Sequence, residues 1–121
     1  MKAVFDTNII IDYLKGMDAA REELDRHERP LLSVVSWMEV MVGAMNEDEG
    51  ARIRRFLTRF DTLGIDADVA DIAVQIRRER RIRLPDAIIW ATARAQDALL
   101  VTRNTRDFPA DEPDIRVPYR L

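Results

Sequence analysis

Four acidic residues carry the chemistry this sequence could perform: Asp6, Glu39, Asp86 and Asp107. Each also has an ordinary structural use. Asp6 ends a short apolar stretch and could cap the helix that follows. Glu39 stands three residues after Ser36, the spacing of a capping box in which the glutamate reaches back to the Ser36 backbone N–H. Asp86 follows Pro85, and an acid in a first helical turn is favoured by the helix dipole. Asp107 closes Asn104-Thr105-Arg106-Asp107, which suits a turn built from Asn and Asp side chains. Taken as a set they mean more. Four carboxylates brought to one place repel, and some must protonate unless a cation joins them. Oxygen donors without His or Cys among them favour Mg²⁺ or Mn²⁺. Such a site activates water and offsets charge building on a phosphoryl group, so phosphodiester hydrolysis suits it best.

Other chemistries lack parts. The chain has no cysteine, which removes disulfides, thiolate nucleophiles and cysteine-bound zinc. Its single histidine, His27, lies in the polar run Asp25-Arg26-His27-Glu28-Arg29, which argues against histidine-rich metal sites and a Ser-His-Asp triad. Net charge is −3, a mild argument against nucleic-acid binding, yet of 19 basic residues only Lys2 and Lys15 are lysine. Arginine's planar fork matches phosphate, so the bias fits RNA contact; a GC-rich genome produces the same bias. The apolar stretch Ile9-Ile10-Ile11 is too short for a secretory signal and is flanked by Asp6 and Asp12. No segment approaches the roughly 20 apolar residues needed to span a bilayer. The expectation is a cytoplasmic protein without membrane association, in one domain over residues 1–121.

The acids need a scaffold that puts them together. Val4-Phe5 reads as a buried strand ending at Asp6, followed by a helix through Ile9, Ile10, Tyr13 and Leu14 that Gly16 closes. Residues 18–28 read as a charged helix, Leu31 to Val35 as a strand, and Ser36 to about Met45 as a helix. A helical period recurs over Glu47–Phe60, a brief strand is expected at Leu63–Ile65, and Asp68 to about Arg81 is amphipathic. The helix opened by Leu84-Pro85-Asp86 is apolar on nearly every side, which places it in the middle of the domain. Leu99–Val101 is a buried strand, and Ile115–Val117 is a candidate last one. Strands alternating with helices imply an α/β sandwich around a parallel sheet, with ligands bound beyond the carboxyl ends of the strands. Asp6, Glu39 and Asp107 all come after strands, and Asp86 opens the central helix.

Four pieces, in this order, resemble the PIN-domain nucleases: Phe5-Asp6-Thr7-Asn8; Ser33-x-x-Ser36-x-x-Glu39 with Gly43; Leu84-Pro85-Asp86-Ala87-x-Ile89-x-Ala91; and Thr102-x-Asn104-x-x-Asp107-Phe108. Within that family the chain is most similar to the VapC-type toxins of bacterial toxin–antitoxin pairs. The resemblance implies a PIN-like three-layer sandwich whose central, mainly parallel sheet has four to five short strands. It implies that Asp6, Glu39, Asp86 and Asp107 bind Mg²⁺, or Mn²⁺, with Thr7, Asn8, Thr102 and Asn104 as polar neighbours. It also implies an RNA substrate cut by a metal-activated water, a homodimer, and a cognate antitoxin protein as inhibitor. Many such toxins end with Asn-Pro before an aromatic; here Val117-Pro118-Tyr119 lacks the asparagine.

Arg77, Arg78, Arg80, Arg81 and Arg83 lead up to Asp86, and Arg103 follows Thr102. The cluster reads equally as a track for RNA phosphates or as a solvated helix end, with Glu79 pairing to Arg83. Trp37 and Trp90 sit in apolar helical settings that favour core packing or a subunit face over base stacking. Competing functions remain. A strand-ending aspartate also suits phosphoryl-accepting receivers and phosphatases, but the phosphatase pattern wants an Asp where Asn8 stands, and no lysine follows Lys15. The same fold could instead serve RNA processing, or hold RNA or a partner without cutting.

Overall fold

The structure is a computed structural model that describes residues 1–121. Eleven elements follow in chain order: β1 (Ala3–Phe5), α1 (Thr7–Leu14), α2 (Asp18–Asp25), β2 (Leu31–Ser33), α3 (Val34–Val42), α4 (Glu47–Leu57), β3 (Asp61–Leu63), α5 (Ala67–Arg80), α6 (Leu84–Ala95), β4 (Leu99–Val101) and β5 (Ile115–Arg116). The strands form one five-stranded parallel sheet in the order β3-β2-β1-β4-β5. This is the expected α/β sandwich, with a core on each side of the sheet.

Strand pleating explains the two cores, because successive side chains point to opposite faces. Val4, Leu31 and Leu100 join Val69, Ala73, Ile76, Ile89 and Trp90 of α5 and α6. Ala3, Phe5, Leu32 and Val101 point the other way, against Ile9, Ile10, Leu24, Ile53 and Leu57 of α1, α2 and α4. Helix α3 stands between the layers, contributing Val35 to one core and Val40 to the other. α6 is the central helix that its composition implied, with Ala87, Ile89, Trp90, Ala91 and Ala93 all buried. None of the helices is long and apolar enough to cross a membrane.

Several boundaries differ from those the periodicity suggested. Val34 and Val35 are helical, because the Ser33 side chain caps α3 by accepting the Val35 N–H at 3.1 Å. The third strand is Asp61–Leu63, in register with β2 (Leu31↔Asp61, Ser33↔Leu63), so Gly64-Ile65 lie beyond it and Asp66 caps α5. α2 stops at Asp25 and α4 at Leu57, three residues earlier than expected in each case. At the latter, the Thr58 hydroxyl turns back to the Arg55 carbonyl at 2.6 Å. α5 ends at Arg80 because Arg81 adopts the left-handed conformation, φ 56°.

One feature of the topology places the site. From β1 the chain winds outward to β2 and β3, then crosses back to lay β4 against the other side of β1. The strand order reverses between β1 and β4, and a crevice at the carboxyl ends of those two strands is where open parallel sheets take their ligands.

Candidate functional site

β1 delivers Asp6 directly into that crevice. The Asp6 backbone N–H donates to the Val101 carbonyl of β4 at 2.9 Å, so the residue is anchored across the switch point. Its side chain caps α1: Oδ1 accepts from the Thr7 N–H at 2.8 Å. Oδ2 accepts from the Thr102 hydroxyl at 2.8 Å and the Asn8 amide at 3.1 Å. Asp6 is 4% exposed. Burial pushes its carboxyl up to about 6 against the bonds from Thr102 and Thr7, and the charges of Asp86 and Glu39 add to the rise.

Glu39 is exposed on α3, and it does not close a capping box. With the cap at Ser33, Ser36 is a buried residue inside the helix, and the glutamate turns to α1 instead. The Thr7 hydroxyl donates to Glu39 Oε1 at 2.7 Å and lies 2.9 Å from Ser36 Oγ. Ser36 and Glu39 are one turn apart, so both reach the same hydroxyl from one helix face.

Asp86 lies in the first turn of α6, behind the Arg83 cap and Pro85. It is partly buried. Burial raises its carboxyl; Arg83, whose Nε is 3.8 Å from Oδ2, opposes the rise, and Asp107 and Glu39 add to it. Asp107 stands in the loop after β4, where the Asn104 amide donates to its Oδ2 at 3.0 Å and its own N–H donates to Asn104 Oδ1 at 3.3 Å. The Asn104 N–H in turn donates to Thr102 Oγ at 3.0 Å. All four polar neighbours expected from sequence therefore touch an acid or connect two.

The four acids share one electrostatic field: Asp6 responds to Asp86 and Glu39, and Asp86 responds to Asp107 and Glu39. They do not converge. No three of them meet in a set that could hold an ion as they are arranged. By donor chemistry the set still fits a hard divalent cation, since every candidate ligand is oxygen. The buried Asn8 Oδ1 beside them also has no hydrogen-bond partner.

The arginines divide. Arg77, Arg78, Arg81 and Arg83 are exposed around the α5–α6 turn. Arg83 faces Asp86, and Glu79 is bonded to Gln75, so the expected Glu79–Arg83 pair is absent. Arg80 is turned inward, paired with Glu112 and stacked over the Trp90 ring at 4.8 Å. Trp90 is core, donating its indole N–H to Asp114 at 2.9 Å. Trp37 is half-buried under Arg54, 5.1 Å from the ring. Arg103, one of the candidate RNA contacts, is bonded to Asp12: its Nε and Nη2 stand 2.5 and 3.1 Å from the two carboxylate oxygens. Sequence reasoning missed Asp12 and Tyr119, which donates its hydroxyl to Asp12 at 2.8 Å. The available signal was Asp12 at helical spacing from Ile9, on the apolar face.

A groove of about 470 Å³ runs between α1, α3 and α4 and opens beside Glu39. Ile11, Leu14, Val40 and Ile53 line it, with Lys15 and Arg52 among its polar residues.

Comparison with known proteins agrees with this architecture. The PIN domain family model matches residues 3–110. A tRNA(fMet)-specific endonuclease VapC of Shigella flexneri is 35% identical over 89% of this chain and 90% of its own. The ribonuclease VapC10 of Mycobacterium tuberculosis is 37% identical over 96% of this chain and 92% of its own. Among solved structures, a toxin–antitoxin complex from Klebsiella pneumoniae contains a chain with 41% identity and a TM-score of 0.93, covering 99% of this chain and 100% of that one. DNA-bound VapBC from Salmonella typhimurium superposes with a TM-score of 0.80 at 27% identity, covering 96% of each chain. On its fold, the order of its acidic motifs and these likenesses, the chain belongs to the PIN-domain family and, within it, to the VapC-type toxins of toxin–antitoxin systems.

Proposed function

We propose that this chain is a Mg²⁺-dependent endoribonuclease, the toxin of a cytoplasmic toxin–antitoxin pair, which hydrolyses RNA phosphodiester bonds. The observation that carries the reading is Asp6. It is a carboxylate buried at the switch point and held from three sides, and it is pushed up to about 6 in part by Asp86 and Glu39. A site of that kind is short of positive charge. Asp6, Glu39, Asp86 and Asp107 hold the cation, Mg²⁺ or Mn²⁺. Thr7 orients Glu39, Thr102 and Asn8 orient Asp6, and Asn104 orients Asp107. When bound, the cation supplies activation of water and neutralisation of charge on the phosphoryl oxygens. Exposed Arg83 lies beside Asp86, and exposed Arg77, Arg78 and Arg81 lead up to it in the chain; all four suit the flanking phosphates of RNA.

Two relatives named as an endonuclease and a ribonuclease support the reaction class. The toxin–antitoxin complexes among the similar structures support a protein inhibitor. The apolar groove beside Glu39 fits an amphipathic antitoxin segment, which in that position would close the approach to the acids. A homodimer, implied by the family resemblance, belongs to the same reading; sedimentation of the purified chain checks it.

The test is RNA cleavage by the purified chain with Mg²⁺, with EDTA, and with Asp6→Asn at equal concentration. Cleavage confined to the first condition supports the proposal. Equal cleavage in EDTA, or by the variant, overturns it.

A further inference from the structure

Asp12 has no place in the chemistry above, yet it is 2% exposed on the inner side of α1. A carboxylate taken out of water is costly unless it is paired and fully bonded. Burial would push this one up, but the bonds from Arg103 and Tyr119 outweigh it and keep the carboxyl below its ordinary value. The pairing is a two-pronged fork, Nε to Oδ2 at 2.5 Å and Nη2 to Oδ1 at 3.1 Å, the geometry in which arginine is hardest to replace. The Tyr119 hydroxyl adds a third bond at 2.8 Å, bringing in the C-terminal tail.

What the fork joins gives it a use. Asp12 sits on the same rigid eight-residue helix that Asp6 caps. Arg103 sits between Thr102, which bonds Asp6, and Asn104, which bonds Asp107. Three consecutive side chains thus bind three different carboxylates. Without the middle one, the loop after β4 is tied to α1 near the acids only through Thr102 and its weak 3.4 Å approach to Asn8.

We propose that Asp12, acting through Arg103 and Tyr119, is a positioning residue of the catalytic centre: the clasp fixes residues 102–107 against α1 and thereby sets Asp107 relative to Asp6. Arg103 is on this account not an RNA contact. The inference rests on the ribonuclease reading, so its test needs one measurement independent of RNA.

Arg103→Lys keeps the charge but loses the fork, and Tyr119→Phe removes one hydroxyl while keeping the ring. Both are made in the full chain, beside an Asp12→Asn variant. Amide hydrogen exchange and steady-state RNA cleavage at saturating Mg²⁺ are then compared with the parent. Expected for the Lys and Phe variants is faster exchange in residues 102–108, joined by the C-terminal tail around residue 119 in the Phe variant, with α4 and β3 unchanged. Alongside it kcat falls about tenfold for Arg103→Lys, less for Tyr119→Phe, with KM little altered. Unchanged exchange in 102–108 overturns the clasp whatever the cleavage shows. Faster exchange with parental kcat overturns its catalytic role, as does a rise in KM alone, which would return Arg103 to the RNA. Failure of the parent itself to cut RNA with Mg²⁺ sinks the ribonuclease reading, and this positioning role with it, while the exchange result still reports the clasp. Asp12→Asn, if it folds, should match or exceed Arg103→Lys; parental behaviour from a folded Asp12→Asn overturns the proposal.

Discussion

Asp6 is the residue whose ionisation bears on both stability and the proposed activity. Its carboxyl titrates near 6 in the folded chain against 3.8 for the free side chain, so the native state binds this proton more tightly than the unfolded state. Stability from this group is therefore present at low pH and is lost as pH rises through about 4 to about 6. Above that window the buried carboxylate costs on the order of 3 kcal/mol. Asp6→Asn should accordingly abolish Mg²⁺-dependent cleavage and raise the melting temperature in EDTA near neutral pH. Thermal denaturation of both proteins checks it, and a variant less stable than the parent would contradict the sign. If the proposed Mg²⁺ site uses the Asp6 carboxylate, the acid limb of cleavage at low Mg²⁺ should fall near pH 6. More Mg²⁺ should move that limb to lower pH, because the cation competes with the proton for one carboxylate. A rate profile at two Mg²⁺ concentrations reads this directly.

At the scale of elements, two serines three residues apart compete to start one helix. Ser33 wins because it is the last residue of β2, paired to Leu63, with its hydroxyl placed to accept the Val35 N–H. Ser33→Ala should destabilise the fold by about 1 kcal/mol, the usual cost of a lost cap, seen as a lower urea midpoint. Ser36→Ala removes no cap; it frees Thr7 and so should lower cleavage more than stability. The reverse pattern would restore the capping box. The α5–α6 turn separates its arginines in the same way. Replacing exposed Arg77, Arg78 and Arg81 by alanine should raise KM for RNA and flatten its salt dependence with kcat unchanged. Arg80→Ala should instead lower the melting temperature, because Arg80 packs on Trp90 and pairs with Glu112.

Over the whole molecule, the sheet gathers like charges at one edge and leaves the acids spread. A cation that draws them together binds the folded chain in preference to the unfolded one. Mg²⁺ at roughly a hundred times its Kd should add about 2.7 kcal/mol of stability. The rise in melting temperature should be larger near neutral pH than near pH 5, where Asp6 is protonated. Identical shifts at both pH values would separate any bound Mg²⁺ from this carboxylate.

Residue types and local period were enough, by themselves, to name the layers and to pick out the candidate acids. An oxygen-only chain of candidates without Cys, a helix apolar all round, and acids placed after strands are local facts, and each survives in the fold. Pairing across the chain was another matter. Strands of two or three residues carry too little pattern to set their own ends, so β3 and the start of α3 took their bounds from neighbours. Arg103 meets Asp12 across 91 positions and Tyr119 meets it across 107, distances over which composition carries no signal. An exposed arginine and one locked to a buried carboxylate look alike in a string. Only the tertiary structure decides between them, because only there does the low-dielectric interior force the carboxylate to find its partner.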